Sequence, residues 1–426
     1  MRFELELSIL TGKITPPASK SHTIRSIILS SLAEGTSIIT NPLLSNDGLA
    51  PITACQELGG MFIWNEEKTE LTVTGNAGEL RIPKNIIDVG NSGTSLYFLT
   101  SICSLVQGKS VLTGDQSIQS RPIGSLLEAL RTLGAKNKSL TIPNYPPVQV
   151  EGRLKGGETK VAGITSQYTS SLLISCPLAI NDSIIKPIDL QEKLYVSMTL
   201  NYLKNIGIKI ACNKSYSKFI VEGNQRFKKF QKKIPADFSS AAFLVGAGIL
   251  TGQDLTITNL DFTDDQADKQ FVDILEKMGA EIKKTPTSLT INQSCLQGTD
   301  IDLSQSPDLL PIMAVVATQA QGTTVIHNVK HARIKETDRI AVISEELRKM
   351  GVAIEEQADG LIIKKSELHG AVVDGHHDHR IVMALSVAGL VAKGKTTVLT
   401  AESANVTYPN FMKDIQTLSG NIQVHT

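Results

Sequence analysis

The sequence predicts an α/β (α+β) protein of two similar domains, each assembled from three repeats. One theme returns at a period of roughly 70 residues. A polar turn opens an Ala/Ser/Leu-rich helix, a Gly or Asn-Asp break follows, and then come a β-branched strand, a second amphipathic helix and more strand. The second helices close on near copies of one another: Leu130-Arg-Thr-Leu-Gly-Ala, Leu203-Lys-Asn-Ile-Gly-Ile, Leu275-Glu-Lys-Met-Gly-Ala and Leu347-Arg-Lys-Met-Gly-Val. Between the third and fourth recurrences the texture changes to a basic run, residues 226–235.

Taken in order, the first helices of the six units are expected over residues 19–33, 92–106, 166–180, 239–250, 307–320 and 379–392. The strands after their breaks read Thr36-Ser-Ile-Ile-Thr, Ser110-Val-Leu-Thr, Ser183-Ile-Ile, Leu255-Thr-Ile-Thr, Thr323-Thr-Val-Ile-His and Thr396-Thr-Val-Leu-Thr, rich in the β-branched residues that suit a pleated surface. Glu57-Leu-Gly-Gly and Thr417-Leu-Ser-Gly are looser versions of the second-helix ending, and each glycine falls where a helix C-cap calls for positive φ. The basic run reads as a short solvated edge or linker rather than a nucleic-acid stripe. A domain division there leaves residues 18–233 with repeats 1–3, and joins residues 1–17 to residues 234–426, which carry repeats 4–6.

Lys plus Arg equals Asp plus Glu, 42 against 42, so no chain-wide field exists for nucleic acid or an anionic membrane, and an anion site has to be local. Five cysteines (Cys55, Cys103, Cys176, Cys212, Cys295) are scattered singly without ligand spacing, the pattern of reduced thiols in a cytosolic protein. The N-terminus alternates like a strand and lacks a signal-peptide core, and no apolar run is long enough to span a bilayer. A cytoplasmic location is expected.

The stretch 331–339, His-Ala-Arg-Ile-Lys-Glu-Thr-Asp-Arg, concentrates charge just before an amphipathic run, Ile340, Ile343, Leu347 and Met350. On a helix Lys335 and Arg339 would lie one turn apart with Glu336 beside Arg339. Two cations and a carboxylate on one turn suit an anionic substrate that also needs a proton moved. In isolation the stretch reads first as a solvated helix start laced with ion pairs. The openings of the other first helices change that balance. Pro16-Pro-Ala-Ser-Lys-Ser, Gly90-Asn-Ser-Gly-Thr, Thr165-Ser-Gln-Tyr, Asp237-Phe-Ser-Ser and Asp378-His-Arg present capping residues and free N–H groups able to receive an anion. Lys20, Arg25, Arg121, Lys335, Arg339 and Arg380 stand at corresponding breaks, the pattern of a shared polyanion site. Gly90-Asn-Ser-Gly-Thr lacks the Gly-Lys-Ser/Thr ending of a nucleotide loop, so no nucleotide is inferred. Adjacent histidines in His376-His-Asp-His-Arg do not converge readily on one ion, so no metal is expected.

These motifs carry a resemblance. Pro17-Ala-Ser-Lys-Ser, Gly90-Asn-Ser-Gly-Thr, Ser120-Arg-Pro-Ile-Gly, Ser166-Gln, Arg333-Ile-Lys-Glu-Thr-Asp-Arg and Asp378-His-Arg resemble the enolpyruvyl transferases, and among them the members that use shikimate 3-phosphate, over essentially the whole chain. The resemblance implies two domains, each of three βαβαββ-type units about a pseudo-threefold axis, with the active site in the cleft between them. It implies phosphoenolpyruvate contacts at Lys20, Gly93, Arg121, Gln167, Arg339 and Arg380. It implies shikimate 3-phosphate contacts at Lys20, Ser21, Arg25, Thr165, Ser166, Gln167, Tyr195, Asp308 and Lys335. Catalytic roles fall on Asp308, Glu336, Lys20 and His379, with Asp308 and Glu336 handling protons. Small-molecule substrates are the only partners implied, without cofactor, metal, nucleic acid or membrane, and the chain is expected to act as a monomer.

Four positions depart from the family pattern. An arginine is replaced by Tyr97, a lysine by Val406, an asparagine by His331, and the serine of a Ser-Lys-Pro-Tyr element by Glu192. A carboxylate beside a phosphate is repulsive, so either Glu192 points away or the acceptor is not the usual phosphorylated one. The alternatives are therefore an enolpyruvyl transferase with a different acceptor, or a ligand-binding homologue without catalysis. Enzymes of this fold that act on UDP-N-acetylglucosamine place a cysteine in the loop of the second unit, and residues 113–121 contain none.

Overall fold

The computed structural model describes residues 1–425. They divide into two compact units, Ala18–Ile234 on one side and Met1–Pro17 with Pro235–Thr426 on the other. Among the described residues, six four-stranded sheets are formed, three within each unit.

All six sheets share one plan. The strand after each first-helix break (Thr36–Thr40, Lys109–Thr113, Ser183–Ile188, Gly252–Thr258, Thr323–His327, Thr396–Leu399) sits inside its sheet. Each pairs in parallel on one side and antiparallel on the other, and a last antiparallel strand completes the four. Two sheets borrow a strand from far along the chain. Leu10–Ile14 pairs in parallel with Gly252–Thr258, and Arg2–Leu5 lies between Thr396–Leu399 and Ile422–His425. The basic run contributes Gln231–Lys233 as an edge strand parallel to Thr36–Thr40, its lysines suited to an unpaired sheet edge.

The first helices are buried nearly all round: Phe238–Thr251, Leu310–Ala317 and His379–Gly389 have no residue outside the core, and they pack on one another. Burying so many Ser and Thr is possible because their hydroxyls bond back to carbonyls in the preceding turn. Ser30 donates to Ile27 O, Thr100 to Leu96 O, Ser171 to Tyr168 O and Ser386 to Val382 O. The second helices are amphipathic with one buried face, as in Gln270–Lys277 with Phe271, Val272 and Leu275. Their closing glycines are left-handed, and in the last repeat Ser419 takes that conformation instead, at φ 69°. No helix among the described residues is long and apolar enough to cross a membrane.

Candidate active site

In the unit of residues 18–234, three first-helix starts carry the expected residues. Lys20 opens the Lys20–Leu32 helix, capped by Ser19, and its Nζ lies 2.8 Å from Asp47 Oδ2, a buried carboxylate. Arg25, one turn on, is almost fully buried. Its Nε donates to Thr199 Oγ1 (2.9 Å), Nη1 to Ser21 O (3.1 Å) and Nη2 to Tyr195 O (3.2 Å). Arg25 thereby ties Ser21 and the first helix to the start of the Lys193–Asn205 helix, where Tyr195 sits.

Gly93 begins the Gly93–Cys103 helix beneath Arg121, and a Cβ at 93 would collide with Arg121 Nη1. Gln167 Nε2 donates to Thr94 Oγ1 at 3.2 Å, bringing the second and third helix starts together. Thr165 caps the Ser166–Ser175 helix through Gln167 N–H (3.3 Å). Tyr97, which replaces the family's arginine, packs edge-on against Tyr168 with ring centroids 5.0 Å apart. Both hydroxyls donate to Pro122 O, beside Arg121. Tyr97 thus supports the segment holding Arg121 instead of supplying a cation.

Glu192 does not point away. It is 3% exposed, and its Oε2 accepts from Ser166 N–H (3.0 Å) and Ser166 Oγ (2.8 Å), with Thr165 Oγ1 at 3.5 Å. That alternative is corrected: the carboxylate is turned onto two of the residues expected to hold the acceptor.

In the other unit the expected residues form a dense network of ions around Arg339. Its fully buried guanidinium donates through Nη1 to Asp308 Oδ1 (2.7 Å), through Nε to Asp378 Oδ2 (2.7 Å), and through Nη2 to Asp378 Oδ1 (3.2 Å) and Glu336 Oε2. Arg380 Nη2 donates to the other oxygen of Asp308, at 2.8 Å. Burial would raise the Asp308 carboxyl, but Arg380, Lys335 and Arg339 override it and hold the group well below the usual carboxylate range. Burial likewise works against the Arg339 cation, and Asp378, Glu336 and Asp308 more than restore it. Asp378 caps the His379–Gly389 helix and receives Arg380 N–H and Thr337 Oγ1. The buried His379 ring lies against it, Nδ1 4.0 Å from Asp378 Oδ1.

The charged stretch 331–339 is not one helix turn. Lys330–Ile334 is a 3-10 segment, Lys335 leaves it with a non-helical ψ of −144°, and the helix proper begins at Arg339 after its cap Asp338. Lys335 and Arg339 therefore do not stack at helical spacing, as the sequence had suggested. Asp338 wins because its side chain accepts from Ala341 N–H and from Arg333. Nor do the three neighbouring histidines act together: His376 Nε2 pairs with Glu346 Oε1 at 2.8 Å, His377 is exposed and His379 is buried.

Sequence reasoning missed two carboxylates, Asp47 and Asp268, and read a third, Asp378, only as the opening of a helix. Asp47 partners Lys20, and Asp378 organises Arg339 and Arg380. Asp268, fully buried and bonded by Ser239 Oγ, has its carboxyl pushed up to about 7 by burial and then by the charge of Asp308. A signal existed only for Asp378, which opens a helix beside two basic residues.

Comparison with known proteins agrees along the full length. The family model for EPSP synthase (3-phosphoshikimate 1-carboxyvinyltransferase) matches residues 6–415. A 3-phosphoshikimate 1-carboxyvinyltransferase of Ruminiclostridium cellulolyticum is 45% identical over 424 residues, covering 100% of both chains. One from Methanocella arvoryzae is 43% identical over 417 residues, covering 97% of each. Among solved structures, EPSP synthase from Acinetobacter baumannii superposes with a TM-score of 0.84 at 26% identity, covering 100% of both chains. The enolpyruvyl transferase NikO of Streptomyces tendae shares the fold, with a TM-score of 0.80 at 16% identity over 99% of this chain and 98% of its own. Matched from end to end in sequence and in fold, the chain belongs to the EPSP synthase (3-phosphoshikimate 1-carboxyvinyltransferase) family.

Proposed function

We propose that the chain transfers the carboxyvinyl group of phosphoenolpyruvate to the 5-hydroxyl of shikimate 3-phosphate with release of phosphate, the sixth step of the shikimate pathway to chorismate. The observation that carries the reading is the presence, in a chain matched to the family throughout, of two charged sets: Lys20 with Asp47 in one unit, and Arg339 and Arg380 sharing Asp308 in the other. The reading requires the two sets to serve one pair of substrates.

The reaction is addition followed by elimination. The acceptor oxygen bonds to C2 of phosphoenolpyruvate as its proton leaves and C3 takes up a proton. The tetrahedral adduct then loses phosphate from C2 and a proton from C3, restoring the double bond. Cations at Lys20, Arg121, Arg339 and Arg380 would stabilise the phosphate and carboxylate charge throughout. Asp308, held ionised by its arginines, can accept a hydrogen bond from the acceptor hydroxyl, whose proton is assigned to this carboxylate. Glu336 is assigned the proton at C3. Gln167, Ser166, Thr165, Ser21, Arg25, Tyr195 and Lys335 would hold the acceptor, and Gly93 would leave room for Arg121 at the phosphate. Five free cysteines, three of them buried, suit a reducing cytoplasm.

The test is phosphate release by the purified protein. Release from phosphoenolpyruvate that depends on shikimate 3-phosphate is expected. Dependence on UDP-N-acetylglucosamine, or release with neither acceptor, rejects the proposal.

A further inference from the structure

Glu192 stands where the family pattern has a serine, and its surroundings show a carboxylate doing the work of a bound anion. It is the N-cap residue of the Lys193–Asn205 helix, yet its side chain makes no capping bond to that helix. The carboxylate instead reaches to the Ser166–Ser175 helix and takes Ser166 N–H and Ser166 Oγ on one oxygen, with Thr165 Oγ1 nearby. A helix start with its N–H groups and hydroxyls is a place where a phosphate is well received. Here those donors are already engaged, at a point only 3% exposed. The backbone carries a cost there: Glu192 is left-handed, at φ 52° and ψ 44°, a conformation unfavourable for a glutamate.

We propose that Glu192 is a built-in competitor for the acceptor's phosphate: its carboxylate holds the Thr165–Ser166 corner, and a phosphorylated acceptor binds there only by displacing it. This rests on the reading of the chain as an enzyme acting on shikimate 3-phosphate. Two anions cannot share the Ser166 donors, because a single N–H and a single hydroxyl proton serve both. Their repulsion is strong at a site so little exposed to water. Glu192 therefore sets acceptor specificity. It weakens shikimate 3-phosphate selectively, and leaves acceptors without the phosphate nearly untouched. The carboxylate stands on the short connection between the Ser183–Ile188 strand and the Lys193–Asn205 helix, where Asp189 and Glu192 are both left-handed.

The experiment is calorimetric titration of shikimate 3-phosphate, and separately of unphosphorylated shikimate, into the full-length protein and its E192S and E192Q variants. Glu192→Ser is expected to lower the dissociation constant for shikimate 3-phosphate at least tenfold, while that for shikimate moves less than twofold. Glu192→Gln, nearly the same shape without the charge, is expected to show an intermediate gain. The proposal is overturned if the serine variant binds shikimate 3-phosphate no more tightly. It is equally overturned if both ligands shift together, if E192Q shows no gain, or if none of the three proteins binds shikimate 3-phosphate. Phosphate release by the unaltered protein answers the separate question of activity. A protein that binds the phosphorylated acceptor as expected but does not turn it over refutes the proposed function and leaves the role of Glu192 standing.

Discussion

Arg339 keeps its charge out of water because three carboxylates surround it, and each of the three is exposed differently. Asp378 is sealed in with it, Asp308 is 22% exposed and Glu336 is 9% exposed. Asp308 and Glu336 are the ones a ligand can reach. Glu336→Gln preserves shape and a hydrogen-bond acceptor while removing a transferable proton. Turnover is expected to fall about a hundredfold or more, the usual scale for a lost general acid–base, with the KM of both substrates little changed. Steady-state kinetics checks this, and unchanged kcat removes Glu336 from proton transfer. Asp268 provides a pH test. Its carboxyl titrates near 7 in the folded chain against an ordinary 3.8, so the folded form holds a proton that the unfolded form has released. Stability from this group is therefore full below about pH 4 and falls as pH rises toward 7. Asp308, shifted the other way, contributes above its ordinary range and loses that contribution in acid. Melting curves from pH 5 to pH 8 are expected to show Asp268→Asn gaining on the parent by about 4 °C or more at the alkaline end. Parallel curves would refute the assignment. Neither Asp268 nor Asp47 was legible beforehand. Asp268 follows Asp264 and Asp265 and precedes Lys269, and such a run reads as a solvated loop until the tertiary fold buries one member.

At the scale of elements, the helix starts do most of the positioning. The sequence made them visible, because capping residues and glycines leave a local trace. Glycine is needed at 93 for space alone, since its φ is not left-handed. Gly93→Ala would suit the helix and still displace the Arg121 guanidinium. The KM for phosphoenolpyruvate is expected to rise about ten- to a hundredfold, as small misplacements of charged groups do, with the circular dichroism spectrum unchanged. An unaltered KM would show that Arg121 does not serve that substrate. Tyr97 shows a limit of motif reading. Matching registers a lost cation and no more; the structure adds that the Tyr97 hydroxyl shares Pro122 O with Tyr168, next to Arg121 in the chain. The inner strands were legible from β-branched runs, but their partners were not. Pairing between Gln231–Lys233 and Thr36–Thr40 leaves no mark in either segment, only the lysines of an edge.

For the molecule as a whole, one hydrophobic core is built only from residues of the 18–234 unit and another only from the remainder. Two calorimetric transitions are expected. Leu172→Ala, in the buried Ser166–Ser175 helix, should cost about 2–5 kcal/mol and lower one transition while leaving the other in place. A single transition that moves as a unit would contradict independent cores. The sixfold recurrence made this organisation readable in outline. The return of the first residues to sheets near the other end was less so, since alternation announces a strand without naming its neighbour.

That return bears on how the protein is made. The middle unit contains every strand of its own three sheets, so it can fold as soon as the ribosome has released it. Arg2–Leu5 emerges earlier and has to wait, unpaired, until Thr396–Leu399 has been made. Ile422–His425, when it finally appears, has no neighbour in its sheet except that waiting segment. Two strands made far apart in time thus complete each other, and a nascent chain without Arg2–Leu5 would have nowhere to lay down Ile422–His425.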